Sequence, residues 1–319
     1  STQAKTLFPY TTLFRSTEAN NWILRSAVRD LGVQRIITTK VEHHAVLYPA
    51  LALQKEFDIQ VDFVNIKSDG SIDVTHLVEL LSQEVKTLVS LMHVNNEVGV
   101  VLDLERIAVI CKEHNALFHS DTVQSVGKTE IDLKALPIDF ISASAHKFHG
   151  PKGIGFAFIR KNSGLQPILL GGEQEKGMRG GTESIYQVAG MAKALEMAYA
   201  NLDKERVYIA DLKQYCISQL TKEFPNSKVI GTENGFYNII NVILPLSDDK
   251  AGMLLFHLDI KGIAVSRGSA CQSGSSNPSH VLAEILSAEE LTKPSLRISF
   301  SHYNTKEDID YLIEVLKTA

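Results

Sequence analysis

Two residues in this sequence of 319 residues have the type and position needed for covalent and electrostatic chemistry, Lys147 and Asp121. Lys147 follows the apolar run 139–144, and the partial desolvation expected there favours a neutral amine that forms Schiff bases with carbonyl compounds. Asp121 ends the run 116–121, where a buried carboxylate needs a cationic partner, and a protonated pyridine nitrogen is one candidate. Simpler roles stay open, because Lys147 can also reach solvent or pair with an acid, and Asp121 can cap the next segment.

Polar residues also follow the neighbouring apolar runs. They are His43 and His44 after 35–39, Asn95, Asn96 and Glu97 after 87–94, Thr122 and Gln124 after Asp121, and His146 and His149 around Lys147. A neutral imidazole such as His43 can lie flat on an aromatic ring, although a single histidine is more often a core residue whose hydrogen bonds are satisfied. Adjacent histidines without further ligand spacing are a poor metal signal, so we predict no metal site.

The three cysteines have different surroundings in the sequence. Cys111 and Cys216 fall in helical patterns, which favours inert, buried thiols. Cys271 lies in the segment 266–279, which is rich in Gly and Ser, and Arg267 precedes it by four residues. Exposure and a nearby cation favour a reactive thiolate at Cys271. An odd number of cysteines also argues against a disulfide framework and favours a reducing compartment.

The glycine-rich stretch 171–182 is not a nucleotide-binding loop, because Met178 occupies the position that a Walker lysine must fill. Its backbone N–H groups and the Thr182 hydroxyl are still candidates for binding phosphate, since we predict that a helix begins at Thr182. The segment 150–155 is more simply a turn before a strand.

Alternating strands and helices must position these groups. Short apolar runs rich in β-branched and aromatic residues predict strands at 35–39, 60–66, 87–94, 116–121 and 139–144. Amphipathic stretches predict helices at 73–84 and 103–114. This alternation indicates an α/β fold with a mainly parallel sheet, and ligands of such folds bind at the carboxyl ends of the strands.

The second part of the chain has a different pattern. A long helical stretch at about 182–224 contains a predicted domain boundary, and a final helix begins at Thr305 with the capping-box pattern of Thr305 and Asp308. Further elements are predicted as strands at 238–244 and 297–301 and a helix near 251–258. We divide the chain into an atypical segment at 1–16, a large domain at 17–200 and a smaller domain at 201–319.

Composition restricts the class of protein further. Hydrophobic residues make up 44% and charged residues 22% of the chain, as in water-soluble globular proteins. The net charge of −5 does not resemble a nucleic-acid binder, no apolar run is long enough to span a membrane, and no signal peptide is visible. We therefore predict an enzyme-sized cytoplasmic protein with no nucleic-acid or membrane partner.

Six ordered motifs resemble those of cysteine desulfurases of the NifS/IscS type, in the class V aminotransferase superfamily. They are VEHHAV, MHVNNEVG, HSDTVQSVGK, SASAHKFHGPKGIG, MRGGTES and SRGSACQSGSSNPSHVL. The likeness runs from about Thr17 to the C-terminus, and the segment around Cys271 resembles the group with an extended loop rather than the SufS-like group. It implies a pyridoxal-phosphate-dependent transferase fold of the aspartate aminotransferase type, with a large domain and a smaller C-terminal α+β domain.

The resemblance implies a role for each catalytic residue. Lys147 would bind pyridoxal phosphate covalently, and Asp121 would pair with the ring nitrogen of the cofactor. His43 would stack on the cofactor ring and take part in proton transfer. Cys271 would accept the sulfur of the substrate.

The resemblance also implies a set of binding residues. Asn96 and Gln124 would hydrogen-bond the cofactor or the substrate, and Arg297 would bind the substrate carboxylate. The phosphate would be held by Thr17, Ser144, His146 and, from the other subunit of a homodimer, Thr182.

The implied activity converts L-cysteine to L-alanine and leaves a persulfide on Cys271. The sulfur would then pass to an acceptor or iron–sulfur scaffold protein, for iron–sulfur clusters or thiolated cofactors. Two alternatives stay open, namely another class V lyase or aminotransferase, and a non-catalytic homologue that binds sulfur-transfer partners.

The sequence departs from the family pattern at its N-terminal end. Family members carry a substantial region before the TEANN motif, and they usually have Gly-Ala where Arg15 and Ser16 stand here. We therefore expect residues 1–16 to be unrelated sequence joined to a truncated desulfurase.

Overall fold

The computed structural model describes residues 11–13, 16–246, 248–266 and 279–318, and the chain forms two compact units. Unit 1 comprises the described residues up to Asn65 together with Ile72–Val94 and Leu102–Leu202. Unit 2 comprises Ile66–Ser71, Asn95–Val101 and the described residues from Asp203 onward. Two short segments from the first part of the chain therefore fold with unit 2, which the sequence pattern does not indicate.

Unit 1 combines a sheet of seven described strands with five helices. Its strands are β1 (Thr11–Leu13), β2 (Arg35–Thr38), β3 (Gln60–Phe63), β4 (Thr87–Ser90), β5 (Leu117–Asp121), β6 (Phe140–Ser144) and β7 (Gly155–Ile159). Its helices are α1 (Ser16–Arg29), α2 (His44–Phe57), α3 (Val74–Leu81), α4 (Leu104–Glu113) and α5 (Ile185–Ala200). Short 3-10 turns occur at Ala145–Phe148 and Gln174–Gly177.

The sheet of unit 1 is mainly parallel. Its strand order is β1-β7-β6-β5-β4-β2-β3, in which β2 to β6 run parallel and β7 and β1 are antiparallel to their neighbours. Because parallel strands end at one edge, the segments that follow β4, β5 and β6 are brought side by side, and this edge is where such folds bind ligands.

Alternate side chains of these strands form two cores, because successive residues of a strand point to opposite faces of the sheet. Ile36 and Leu88 pack in one core with Trp22 of α1, and Ile37 and Val89 pack in the other with residues of α3 and α4. All four of these strand side chains are fully buried, and each such burial contributes roughly 1.5–3 kcal/mol.

Unit 2 is built on a small antiparallel sheet with the strand order β10-β9-β8. Its elements are α6 (Leu202–Glu223), β8 (Lys228–Ile230), β9 (Ile239–Ile243), α7 (Asp248–Ile260), α8 (His280–Ile285), α9 (Ala288–Thr292), β10 (Ser295–Ser299) and α10 (Lys306–Thr318). The predicted capping box is confirmed, since the Thr305 and Asp308 side chains each accept from the other's backbone N–H. One face of α10 is buried, with Ile309, Leu312, Ile313 and Leu316 in the core of unit 2.

The structure confirms the α/β fold with a mainly parallel sheet and corrects several details. The predicted helical stretch 182–224 is two helices, α5 and α6, and α5 begins at Ile185 rather than at Thr182. Ser184 explains the later start, because it is the N-cap residue of α5 and its ψ of 81° is not helical. Helices α2, α8 and α9 and strands β1 and β8 were not predicted. Among the described helices, none combines the length and apolar character that crossing a membrane requires.

Candidate active site

Asp121 lies at the carboxyl end of β5 with its side chain buried. Its carboxylate accepts hydrogen bonds from Nδ2 of Asn20 at 2.8 Å and from the backbone N–H of Val123 at 3.0 Å. Burial raises the pKa of Asp121, while these hydrogen bonds and the charges of His43 and Lys147 act in the opposite direction. The edge of the sheet therefore holds a desolvated carboxylate that an additional cationic group would stabilise.

Lys147 lies in the 3-10 turn that follows β6 directly, and its side chain is half-buried. The turn is fixed by the buried ring of Phe148, against which the backbone of Gly127 packs. A Cβ atom on Gly127 would lie 2.8 Å from Cβ of Phe148, so this close approach requires glycine. The segment after β5 therefore packs closely against the turn after β6, and the charge of Lys147 lowers the pKa of Asp121 against the effect of burial.

Two of the predicted phosphate-binding residues, Thr17 and Ser144, lie where α1 begins. Oγ of Ser144, at the end of β6, accepts a hydrogen bond from the backbone N–H of Ser16 at 3.2 Å and donates to Oγ of Ser16 at 3.0 Å. Thr17 is exposed in the first turn of α1, and His146 is exposed beside Lys147. The first backbone N–H groups of a helix of this length form a natural anion site. Ser16, which the sequence presented only as a departure from the family pattern, contributes a hydroxyl to this cluster.

His43 is the N-cap residue of α2, where its Nδ1 accepts the backbone N–H of Ala45 at 3.0 Å. In a neutral ring this hydrogen bond places the proton on Nε2. The ring is half-buried, and its positive charge, when it is protonated, acts on the Asp121 carboxylate. Gln124 is half-buried in the turn that follows β5. The predicted roles of His43 and Gln124 toward a bound ring stay predictions.

Three further polar residues around Asp121 were not predicted, namely Asn20, Glu42 and His93. Oε1 of Glu42 accepts the backbone N–H of Met92 at 2.7 Å, and burial raises the pKa of Glu42 well above its usual value, with a smaller contribution from the charge of Asp121. Burial lowers the pKa of His93 to about 4, and its backbone N–H donates to the Asp121 carbonyl at 3.0 Å. Glu42 and His93 stand inside two of the six motifs, but their residue types alone do not distinguish a buried position from an exposed one.

Unit 2 contains the two predicted substrate-binding residues, Asn96 and Arg297. Nη1 of Arg297, on β10, donates to the backbone carbonyl of Asn96 at 2.9 Å. The backbone of Arg297 also exchanges two hydrogen bonds with Ser266, at 2.7 and 3.3 Å. Both predicted residues therefore belong to one hydrogen-bonded arrangement within unit 2.

The remaining predicted site residues are Thr182 and Cys271. Thr182 is exposed in unit 1, next to Gly181 and before α5. Cys271 lies outside the described residues. The other two cysteines, Cys111 and Cys216, are free and buried, and burial raises the pKa of both thiols to about 12, so they are poor nucleophiles.

Comparison with known proteins shows what this chain is similar to. The family model described as aminotransferase class-V matches residues 9–312. A cysteine desulfurase IscS from Dictyoglomus turgidum is 38% identical over 304 residues, which are 94% of this chain and 76% of that protein. A cysteine desulfurase IscS from Clostridium botulinum is 39% identical over the same shares of both chains.

Solved structures give the same result. A structure described as a NifS-like protein has a TM-score of 0.86 at 32% identity and covers 97% of this chain and 83% of that chain. A NifS-like protein from Rickettsia africae has a TM-score of 0.85 at 30% identity and covers 100% of this chain and 83% of that chain.

A lysine after one strand and a buried carboxylate at the end of the neighbouring strand define a pyridoxal-phosphate-dependent enzyme with this mainly parallel α/β fold. The chain belongs to the aminotransferase class-V family.

The residues of unit 1 fit this cofactor. The buried Asp121 carboxylate receives its hydrogen bonds from a neutral amide and a backbone N–H, which suits it to a protonated ring nitrogen. Ser16, Ser144 and the first N–H groups of α1 suit a phosphate, and Lys147 supplies the amine for a carbonyl carbon.

Proposed function

We propose that this chain is a cysteine desulfurase, which converts L-cysteine to L-alanine and transfers the sulfur to its own Cys271. The observation that carries the proposal is the 38% identity to a cysteine desulfurase along 94% of the chain. The cluster of Asp121, Lys147 and Ser144 supports it, since these residues fit pyridoxal phosphate. The comparisons give no support to the alternative of another class V lyase or aminotransferase.

The residues of unit 1 hold the cofactor and move protons. When bound, pyridoxal phosphate supplies a conjugated ring that takes up the electrons released at the α-carbon of an amino acid. The Asp121 carboxylate would keep a proton on the ring nitrogen, and Asn20 would hold that carboxylate in place through its 2.8 Å hydrogen bond to Oδ2. Nζ of Lys147 would anchor the cofactor and then move the α-proton of the substrate.

The substrate carboxylate would bind the guanidinium of Arg297. Arg297 already donates through Nη1 to the Asn96 carbonyl, which fixes the orientation of its planar fork. A fixed guanidinium presents its other N–H groups in a geometry that matches a carboxylate. This contact would orient the amino acid and set its affinity.

Cys271 would carry out the sulfur step. Its thiolate attacks the sulfur of the substrate, an S–S bond forms, and the bond between sulfur and the β-carbon breaks. The electron pair of the broken bond goes to the carbon, which takes up a proton and becomes the methyl group of alanine. The enzyme keeps the sulfur as a persulfide, so atoms and electrons balance without an external oxidant.

Three large apolar side chains of unit 1 are exposed. Leu170, Ile185 and Tyr186 in unit 1 are 84%, 75% and 80% exposed, and we propose that a second copy of the chain covers them in a homodimer. Thr182, close to this patch in sequence, would then reach the phosphate of the other subunit.

The persulfide would pass to a sulfur-acceptor protein for iron–sulfur cluster assembly, and a reducing cytoplasm would keep the thiols free.

Cofactor binding to Lys147 tests the proposal. Wild-type protein mixed with pyridoxal phosphate should gain a visible absorption band that borohydride reduction makes permanent, and L-cysteine should change the band while alanine forms. Lys147→Ala should bind no cofactor covalently and form no alanine. The matched control is Lys152→Ala, at an exposed lysine five positions away, which should behave as wild type. A permanent cofactor adduct in Lys147→Ala would contradict the proposal.

A further inference from the structure

The turn Asn95–Gly99 in unit 2 is fixed by its own polar atoms. Oδ1 of Asn95 accepts the backbone N–H groups of Glu97 at 2.9 Å and Val98 at 3.1 Å. The turn closes at Gly99, whose φ is 70° and whose N–H donates to the Asn95 carbonyl at 3.0 Å. The backbone of the turn therefore has one well-defined conformation.

The C-terminal end of this turn packs against the small sheet. A Cβ atom at Gly99 would clash with the side chain of Ile239 on β9, so this close approach requires glycine. The Gly99 carbonyl also accepts the backbone N–H of Phe236 at 2.7 Å. These contacts leave open the orientation of the two peptide groups in the middle of the turn, whose carbonyls belong to Asn96 and Glu97.

Two side chains of the small sheet hold these carbonyls. Asn241 of β9 and Arg297 of β10 are directly opposite each other in the antiparallel ladder, which places them on one face of the sheet. Nδ2 of Asn241 donates to the Glu97 carbonyl at 3.1 Å, and Nη1 of Arg297 donates to the Asn96 carbonyl at 2.9 Å. Neighbouring side chains of one sheet therefore hold successive carbonyls of one turn.

An amide is a costly side chain at position 241. The side chain of Asn241 is fully buried, and its Oδ1 has no hydrogen-bond partner within the part of the chain that the structure describes. Burying an amide with one polar atom unpaired lowers stability, and an apolar β-branched side chain would fill a position on this strand without that cost. The hydrogen bond that Asn241 does make goes to the turn, which favours a role in holding it.

We propose that Asn241 is a positioning residue for substrate binding: it fixes the Glu97 carbonyl, and with it the adjacent Asn96 carbonyl that orients the guanidinium of Arg297. The inference rests on the proposed function, in which Arg297 binds the substrate carboxylate. Without the donor at Asn241 the two peptide groups of the turn can rotate. Arg297 then keeps its charge but samples more orientations, so its affinity for a carboxylate falls while the chemical steps continue.

The first test measures KM and kcat for L-cysteine in three variants. Asn241→Leu keeps the approximate size of the side chain but removes the donor, so KM should rise about fivefold or more while kcat stays within about twofold of wild type. Asn241→Asp places a carboxylate opposite Arg297, where it competes with the substrate carboxylate, so KM should rise further still. Asn241→Thr suits a strand and has a side chain too short to reach the Glu97 carbonyl, so it should match Asn241→Leu and replaces that variant if it folds poorly.

Ser295→Ala is the matched control. Ser295 is a buried polar residue of β10, two positions before Arg297 and therefore on the same face of the sheet. Ser295→Ala should leave KM and kcat within about twofold of wild type. An equal rise of KM in Ser295→Ala and Asn241→Leu, or a wild-type KM in Asn241→Leu, would overturn the proposal.

Amide hydrogen exchange separates failure of the inference from failure of the proposed function. In protein without substrate, peptides that cover the turn Asn95–Gly99 should exchange about threefold faster or more in Asn241→Leu than in wild type, while peptides from α10 exchange at the wild-type rate. If wild type forms no alanine from L-cysteine, the proposed function is wrong, and this exchange ratio alone decides whether Asn241 fixes the turn. Equal exchange of the turn in wild type and Asn241→Leu would contradict the inference.

Discussion

The two units use buried carboxyl groups in opposite ways. In unit 1, burial raises the pKa of both Asp121 and Glu42, and the hydrogen bonds of Asp121 come from a neutral amide and a backbone N–H. In unit 2, Glu97 bonds Ser279, and Asn241 and Arg297 bond backbone carbonyls. The first arrangement is suited to receiving a cationic group, and the second is suited to holding the backbone in place.

Removing the charge of Asp121 should lower the rate of alanine formation more than any other substitution of a carboxyl group described below. Asp121→Asn keeps the shape of the side chain but cannot hold a proton on the ring nitrogen, so alanine formation should fall about 100-fold or more. Steady-state assays with saturating pyridoxal phosphate measure the change. Asp139→Asn is the matched control, since Asp139 is another carboxylate with a pKa raised by burial, and it accepts the Phe118 N–H before β6 begins. Equal losses in both variants would mean that Asp121 acts only through stability.

The sequence predicted the positions of Lys147 and Asp121 at strand ends better than the residues around them. Lys147 and Asp121 follow clear apolar strands, and their motifs identify them, because strand patterns and motif residues are both local features. Asn20 was missed because its hydrogen bond to Asp121 joins residues 101 positions apart. Helix α2 was missed because Pro49 and the histidines at its start obscure the helical pattern.

The sequence predicted less of unit 2. The contact of Glu97 with Ser279 joins residues 182 positions apart, and Asn95–Val101 folds with unit 2 although it follows a strand of unit 1. Short elements such as β8 and α9 contain too few residues to show a period. The predicted sulfur acceptor, Cys271, and the predicted foreign segment 1–16 stay predictions.

Glu42 should make a smaller contribution, to the pH dependence of stability. Because its pKa in the folded chain is raised, the folded state keeps a proton that the unfolded state releases above the ordinary glutamate pKa. The contribution of Glu42 to the free energy of unfolding is therefore fully present below that value. It is lost as the pH rises through the folded pKa, by at most about 1.4 kcal/mol per pH unit. Glu42→Gln should remove this loss while still accepting the Met92 N–H.

Urea unfolding at several pH values measures this difference between wild type and Glu42→Gln. Glu105→Gln, at an exposed carboxylate in the first turn of α4, is the control and should keep the pH dependence of wild type. An identical pH dependence in wild type and Glu42→Gln would show that Glu42 is ionised in the folded chain, and the contrast between the two units would then rest on Asp121 alone.

Transfer of sulfur from L-cysteine to Cys271 is the step that distinguishes the proposed desulfurase from other enzymes of its family. The most direct measurement is mass spectrometry of the pyridoxal-phosphate-loaded protein after a single turnover with L-cysteine, together with quantification of alanine. We expect one additional sulfur atom on the peptide that contains Cys271, an equal amount of alanine, no additional sulfur on Cys111 or Cys216, and neither product from Cys271→Ala. Alanine formation by Cys271→Ala at the wild-type rate, or sulfur bound elsewhere on the chain, would contradict sulfur transfer to Cys271.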